Sequence, residues 1–318
     1  MENKKNEIII DGFKITTFEP APDGFDPLTA SQSKLSYHGI HTRPDKDKEP
    51  EMYKMWHAVF SKKLHYIVPE FKKIDHKGSG GQNKKQSFGP YNKHTWSGVV
   101  VDSDPAIKPL VAINGTWNFP SLAPPTSPDG SRTPMECVAW IGIDGKDKSS
   151  DVLQVGTSYR VDNNEVEYGV WWQWSKQFGF WIKNFQATFG DQISCLICCE
   201  SLTTAHVFIT NLTQNLYTSF GVTADTGISL KGNCAEWIVE NAEYDQGVPL
   251  ADFGSLTFTG CIAFKSVPGH FPGQSNQSVN SGTGTPIDMT NILLRNGQYV
   301  SGTKTTITGP QTIKIDYR

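Results

Sequence analysis

Two carboxylates lie close together in Ala235-Glu-Trp-Ile-Val-Glu240. Alternate residues of a strand share a face. Ala235, Trp237 and Val239 therefore suit a core, and Glu236, Ile238 and Glu240 point the other way. Carboxylates on one face can do general acid–base work. They can equally be an ordinary solvated surface. The same alternation opposes Gln154 to Leu153 and Val155, and groups Trp171 with Gln173 against Trp172 with Trp174. A half-buried Gln is usually just hydrogen-bonded, so Gln154 taken alone decides nothing.

The segments that must position these residues read as strands. Ser97–Asp102, Val111–Phe119, Cys137–Ile143, Val152–Val155, Glu165–Trp174, Ile193–Glu200, Ala205–Leu212, Ala235–Glu240, Leu256–Phe264 and Thr305–Tyr317 are β-rich. Asp144-Gly145, Asn296-Gly297 and Ser301-Gly302 supply turns. Short strands at this spacing predict an all-β sandwich or barrel. Low charge (19%), many Gly and nine Trp agree with that class.

Residues 1–75 read differently. Thr29-Ala-Ser-Gln32 forms a capping box for a short helix that Gly39 can close. Met52, Met55, Trp56, Val59, Phe60 and Leu64 recur at helical spacing and predict an amphipathic helix from Glu49 to Tyr66, stopped by Pro69. Residues 76–95, rich in Gly, Lys, Asn and Gln, read as a flexible linker open to proteolysis. Residues 96–318 form the sandwich. Lysines crowd the first ninety-odd positions (Lys54, Lys62, Lys63, Lys72, Lys73, Lys77, Lys84, Lys85, Lys93), either as a solvated face or as a basic patch. The net charge of -3 gives no nucleic-acid signature. No stretch is long and apolar enough to span a membrane, and no signal-peptide core is visible. The six cysteines permit disulfides. Cys195, Cys198 and Cys199 lie in an apolar strand with no second pair at finger spacing, so buried thiols are expected and zinc is not.

Taken in order, Trp140-Ile-Gly-Ile-Asp-Gly145, Leu153-Gln-Val-Gly156, Trp171-Trp-Gln-Trp174 and Ala235-Glu-Trp-Ile-Val-Glu240 resemble the signature blocks of the glutamic peptidases (eqolisins). Trp96-Ser-Gly98, Asn118-Phe-Pro-Ser121, Asn211-Leu-Thr213 and Ala251-Asp-Phe-Gly254 extend the resemblance from Trp96 nearly to the end. Gly24-Phe-Asp-Pro-Leu-Thr-Ala30, Tyr37-His-Gly39 and Arg43-Pro-Asp45 are similar to leaders of prokaryotic members. The resemblance implies a concanavalin-like sandwich of two bent antiparallel sheets. It implies a catalytic pair of Gln154 and Glu240 on the concave sheet, with Glu236 a neighbour. Trp96, Trp140, Asp144, Trp171 and Gln173 would bind substrate. The activity implied is acid-side endopeptidase cleavage of polypeptides by a secreted monomer, with no metal, no cofactor, and no nucleic-acid or membrane partner. Glu240 would take a proton from water and pass it to the leaving amine. A donor such as the Gln154 amide is worth roughly 3 kcal/mol at an oxyanion.

Three positions depart from the family: Gln173 and Ser158 stand where acids are usual, and Ser175 where Tyr is common. With fewer carboxylates nearby, Glu240 should be less raised in pKa by like charge. Residues 1–92 are either a prosegment whose lysines face cleft carboxylates or a permanent helical brace. Two other functions compete. A glycosidase would use Glu236 and Glu240, whose backbones lie about 13 Å apart at ordinary strand rise. A retaining pair needs carboxyls about 5 Å apart, and Ile238 occupies the place of its usual central Asp. A lectin-like binding module would use the Trp residues as a platform.

Overall fold

A computed structural model of the protein describes residues 6–74, 94–120, 134–146, 151–162, 165–175, 179–242, 247–266, 277–290, 292–293, 299–300 and 302–318. The expected 76–95 linker, but for its last two residues, lies outside these, as do Ser121, Ser301 and the Asn296-Gly297 turn.

The elements in chain order are β1 (Asn6–Ile10), β2 (Phe13–Thr17), α1 (Gln32–Tyr37), α2 (Pro50–Phe60), β3 (His65–Tyr66), β4 (Phe71–Lys73), β5 (Trp96–Asp102), β6 (Leu110–Asn118) and β7 (Met135–Ile143). Then come β8 (Leu153–Asp162), β9 (Glu165–Trp174), β10 (Phe180–Ile182), β11 (Gln192–Cys199), β12 (Thr204–Asn211), β13 (Leu216–Thr223) and β14 (Cys234–Glu240). The last are β15 (Ser255–Lys265), β16 (Gln277–Asn280), β17 (Thr285–Ile287), β18 (Ile292–Leu293), β19 (Tyr299–Val300), β20 (Thr303–Gly309) and β21 (Thr312–Tyr317).

Two large sheets form the sandwich. The 8-stranded sheet runs β17-β5-β14-β7-β8-β9-β10-β4, and the 11-stranded sheet runs β1-β2-β13-β12-β11-β6-β15-β21-β20, with β16 and β3 attached. Their paired strands are antiparallel, except that β3 joins β13 in parallel. Period-2 alternation does what it predicts. Ala235, Trp237, Val239, Leu153, Val155, Trp172 and Trp174 pack between the sheets. The other face of the smaller sheet carries a second apolar group that includes Trp96, Trp140, Trp171 and Ile238. All six cysteines are free and buried.

The N-terminal region is built into the sandwich. β2 extends the larger sheet at β13, and β4 extends the smaller one at β10. Helix α2 buries Met52, Trp56 and Phe60 on the outer face of the larger sheet, against Ala112, Phe208, Tyr217 and Ile262. Trp56 donates its indole N–H to His41 O (2.7 Å), and the Arg43 guanidinium lies 5.3 Å from the Trp56 ring centroid. Two expectations are corrected here. The helix ends at Phe60 and not at Tyr66, because His65 and Tyr66 pair with β13 and sheet hydrogen bonds replace further helical ones. The cap of α1 is Ser31, whose hydroxyl accepts from Lys34 N, while Thr29 is engaged by Asp26 and Gln32 bonds Arg43. Lys72 lies 4.0 Å from Glu167, on the face of β9 that also carries Trp171 and Gln173, and Lys73 lies 3.1 Å from Asp11.

Candidate active site

Strands β14, β7, β8 and β9 are consecutive in the smaller sheet, so they bring the four signature blocks side by side. Gln154, Gln173, Glu236 and Glu240 share the face that carries Trp96, Trp140 and Trp171, and all seven side chains are buried. The register arranges them in rows. One row runs Glu236, Gly142, Gln154, Gln173; another runs Glu240, Val138, Ser158. Between these lies the row Ile238, Trp140, Gly156, Trp171.

Trp140 links the rows. Its indole N–H donates to Glu240 Oε2 (2.9 Å). Its other ring edge leans over Gly142, where an added Cβ would come within 2.8 Å of it. A Cβ on Gly156 would come within 2.6 Å of the Trp140 Cβ. Glycines at both positions let the indole lie close against the sheet. Glu240 and Gln154 thus stand on either side of Trp140, with backbones offset by about 13 Å along the strands and with no direct hydrogen bond between them. The sequence offered Trp140 as a cleft residue; its role as a donor to Glu240 needed the tertiary structure.

Burial pushes the Glu240 carboxyl up to about 8, against the opposing pull of hydrogen bonds from Trp96 and Trp140. Its pKa is therefore raised despite the missing neighbouring acids, by desolvation and not by like charge. Glu236 is raised well above the ordinary range, first by burial and further by Asp144 and Asp102. Apart from the Cys234 thiol, which opposes the shift, neither of its carboxyl oxygens has a hydrogen-bond partner. Its neighbour, the Cys234 thiol, is directed to Asn233 Oδ1 (3.2 Å).

Gln154 donates from Nε2 to Gln173 Oε1 (3.4 Å), and Gln173 Nε2 donates to Ser175 O (2.6 Å). Asp144, expected to bind substrate, is turned to another task. Its carboxylate accepts the backbone N–H groups of Lys231 (2.5 Å), Gly232 (2.9 Å) and Asn233 (2.7 Å), and it is fully buried. It anchors the chain leading into β14, and so helps set where Glu236 and Glu240 begin. Chemically, the face offers a proton-holding carboxyl beside indole donors and a primary amide with a second N–H to spare.

Comparison with known proteins places the fold and the family. Residues 94–317 match the Peptidase A4 family. Aspergillopepsin-2 of Aspergillus niger is 26% identical over 182 residues, which covers 53% of this chain and 63% of that protein. Scytalidopepsin B of Scytalidium lignicola is 26% identical over 175 residues, which covers 52% of this chain and 62% of that protein. The matches thus span less than two thirds of either relative. A crystal structure of scytalido-glutamic peptidase with a transition state analog inhibitor matches with a TM-score of 0.50 and 22% identity, over 71% of this chain and 98% of that one. A structure of SCP-B, described as a member of the eqolisin family in complex with the tripeptide Ala-Ile-His, matches equally, with a TM-score of 0.50. At that identity the likeness is one of fold, and it is the sandwich seen here. The match over 94–317, which contains all four strands of the site, establishes that this chain belongs to the Peptidase A4 family.

Proposed function

We propose that this protein is an acid-acting glutamic endopeptidase in which Glu240 and Gln154 hydrolyse the peptide bonds of polypeptides. The observation that carries the reading is a buried carboxyl held by the Trp140 indole N–H, on the same sheet face as the Gln154 amide. Below about pH 8 the closed face holds Glu240 neutral. Water admitted with a peptide would relieve desolvation, while the indole donors continue to favour the anion, so the pKa falls on opening. The carboxylate then takes a proton from water as the water oxygen attacks the scissile carbon. The carbonyl oxygen becomes an oxyanion, stabilised by an N–H of Gln154. Glu240 returns the proton to the amide nitrogen, the C–N bond breaks, and an amine and a carboxylic acid leave.

Acid action is supported by the buried carboxyls. Glu240, Glu236 and Asp144 all hold protons to higher pH than free side chains do, so acid favours the fold (by linkage). Secretion and monomeric action are the setting the family resemblance implies. Among the described residues no helix is long and apolar enough to cross a membrane. Activation by a cut within residues 76–95 is also proposed, leaving β1 to β4 attached as a brace. The burial of the site side chains supports it, since a peptide must first gain access. Acid incubation followed by mass spectrometry tests this last point: an intact chain in a fully active sample refutes it.

The catalytic test is cleavage of an acid-denatured protein from about pH 2 to 7, beside Glu240→Gln and Gln154→Ala. Losses of about a hundredfold or more in both folded variants are expected. Activity that survives both substitutions would reject the pair.

A further inference from the structure

The row Glu236, Gly142, Gln154, Gln173 carries a direction. Ser175 takes a φ of 93°, a left-handed backbone that is rare outside glycine. Its carbonyl accepts from Gln173 Nε2 (2.6 Å). A carbonyl can only accept, so the Gln173 amide can have just one orientation, with Oε1 towards Gln154. Oε1 in turn requires Gln154 to present Nε2, which it does at 3.4 Å. Gln154 Oε1 is then left buried and without a partner. It needs a donor.

The next side chain in that row is Glu236, because Gly142 has none. Its two oxygens are likewise buried, with no partner but the neighbouring Cys234 thiol. An ionised carboxylate in that position would be strongly disfavoured, whereas the neutral acid has one O–H to give. Two strand spacings separate the backbones, about 10 Å, a gap that two long side chains and one bridging water can close.

We propose that Glu236 is a positioning residue: its neutral carboxyl supplies, through a bridging water, the hydrogen bond that Gln154 Oε1 lacks. The inference rests on Gln154 serving as the oxyanion donor. It makes the row a one-way chain from Glu236 to Gln154 to Gln173 to Ser175 O. One N–H of Gln154 is spent on Gln173, and the other is held towards the reacting carbonyl. If Glu236 ionises, a charge is buried in the row with no ion-pair partner of its own, and the packing that holds Gln154 loosens. The charged and titratable groups around Glu236 are Asp144 at the end of β7, Asp102 on β5 with its ion-pair partner Lys146 (2.7 Å), and Cys234 on β14. Its partners in the row on β7 and β8, Gly142 and Gln154, carry no charge. The two acids oppose ionisation, and the Cys234 thiol and Lys146 favour it.

The experiment compares Glu236→Met and Glu236→Gln in the full chain, with kcat and KM followed over pH on a fluorogenic peptide. Methionine removes the donor and fills the space. It should lower kcat roughly tenfold to a hundredfold with KM little changed, in a protein that unfolds no more easily than the wild type. Glutamine keeps a donor that cannot ionise. It should recover most of that loss and remove the alkaline fall of the pH profile. Glu236→Met with unaltered kcat, or Glu236→Gln as impaired as Glu236→Met, would overturn the proposal. Should either variant fold poorly, the alkaline limb of the folded Glu236→Asp enzyme decides: an unmoved limb refutes. Gln154→Ala and Glu240→Gln run in parallel. Their retention of activity would reject the catalytic pair itself, while their loss alongside an indifferent Glu236 rejects this inference alone.

Discussion

The two sheets each bury tryptophan on an outer face, and they use it differently. On the outer face of the larger sheet, Trp56 lies among Met52, Phe60, Phe208 and Tyr217, with its N–H spent on the His41 carbonyl. That polar group is paid for by backbone, and the rest is apolar packing. On the smaller sheet, the indole N–H of Trp140 meets a carboxyl, and carboxyls and amides are buried beside the rings. The first surface also leaves His41 Nδ1 and Arg43 Nε buried without a partner, but no carboxyl. The second holds orphaned polar atoms at Glu236 and Gln154. Unsatisfied buried polar groups cost about 1–3 kcal/mol each in folding; what sets the smaller sheet apart is that its orphans include a carboxyl, a group that can exchange a proton.

The contrast can be tested from its strong end to its weak one. Trp56→Ala should cost about 3–5 kcal/mol in denaturant unfolding, with the kcat of the remaining folded enzyme unchanged. A large fall in kcat with stability intact would mean that the helical face takes part in catalysis. The carboxyl face should respond to pH instead. Glu240 has an ordinary value of 4.5 and a folded value of about 8. Its contribution is fully present below 4.5 and is lost as pH rises towards 8, because the unfolded chain releases the proton first. Thermal scans should therefore show Tm falling by several degrees across that window, and Glu240→Gln should flatten the fall. A Tm that rises over the same window would refute the shift. The smallest effect is expected from Trp140→Phe, which removes a donor that favours the anion. The acid limb of kcat should move to higher pH by up to about one unit, in keeping with the loss of one charge-assisted hydrogen bond. A limb displaced to lower pH would show that Trp140 does not stabilise the carboxylate.

Parts of this were plain in local pattern. The stripe through Met52, Trp56 and Phe60 gave the helix, though not its end, because pairing of His65 and Tyr66 with β13 is a long-range event. The hairpin of β1 and β2 is signalled by Asp11-Gly12 between apolar runs, and both residues take the positive φ (47° and 88°) that such a turn requires; a search for targeting segments passes over it. β4 is only three residues long, and nothing in Phe71-Lys-Lys73 announces a strand. Asp144 was legible as a turn residue and as a family position. That its oxygens would be taken by the backbone at 231–233 was not, since those residues lie far away in the chain.

Sequence by itself determined which side chains share a face. The two-residue period of a strand is local, so Glu236 and Glu240 had to oppose Trp237, and Gln154 had to oppose Leu153 and Val155. It also determined the family, through blocks that are conspicuous without being neighbours in the chain. Only the tertiary structure decided that β14, β7, β8 and β9 lie side by side, that Gln154 is level with Glu236 while Glu240 is level with Ser158, and that all of them are buried. Register and burial are sums over distant segments, and the protonation of a carboxyl follows from burial and not from its place in a motif.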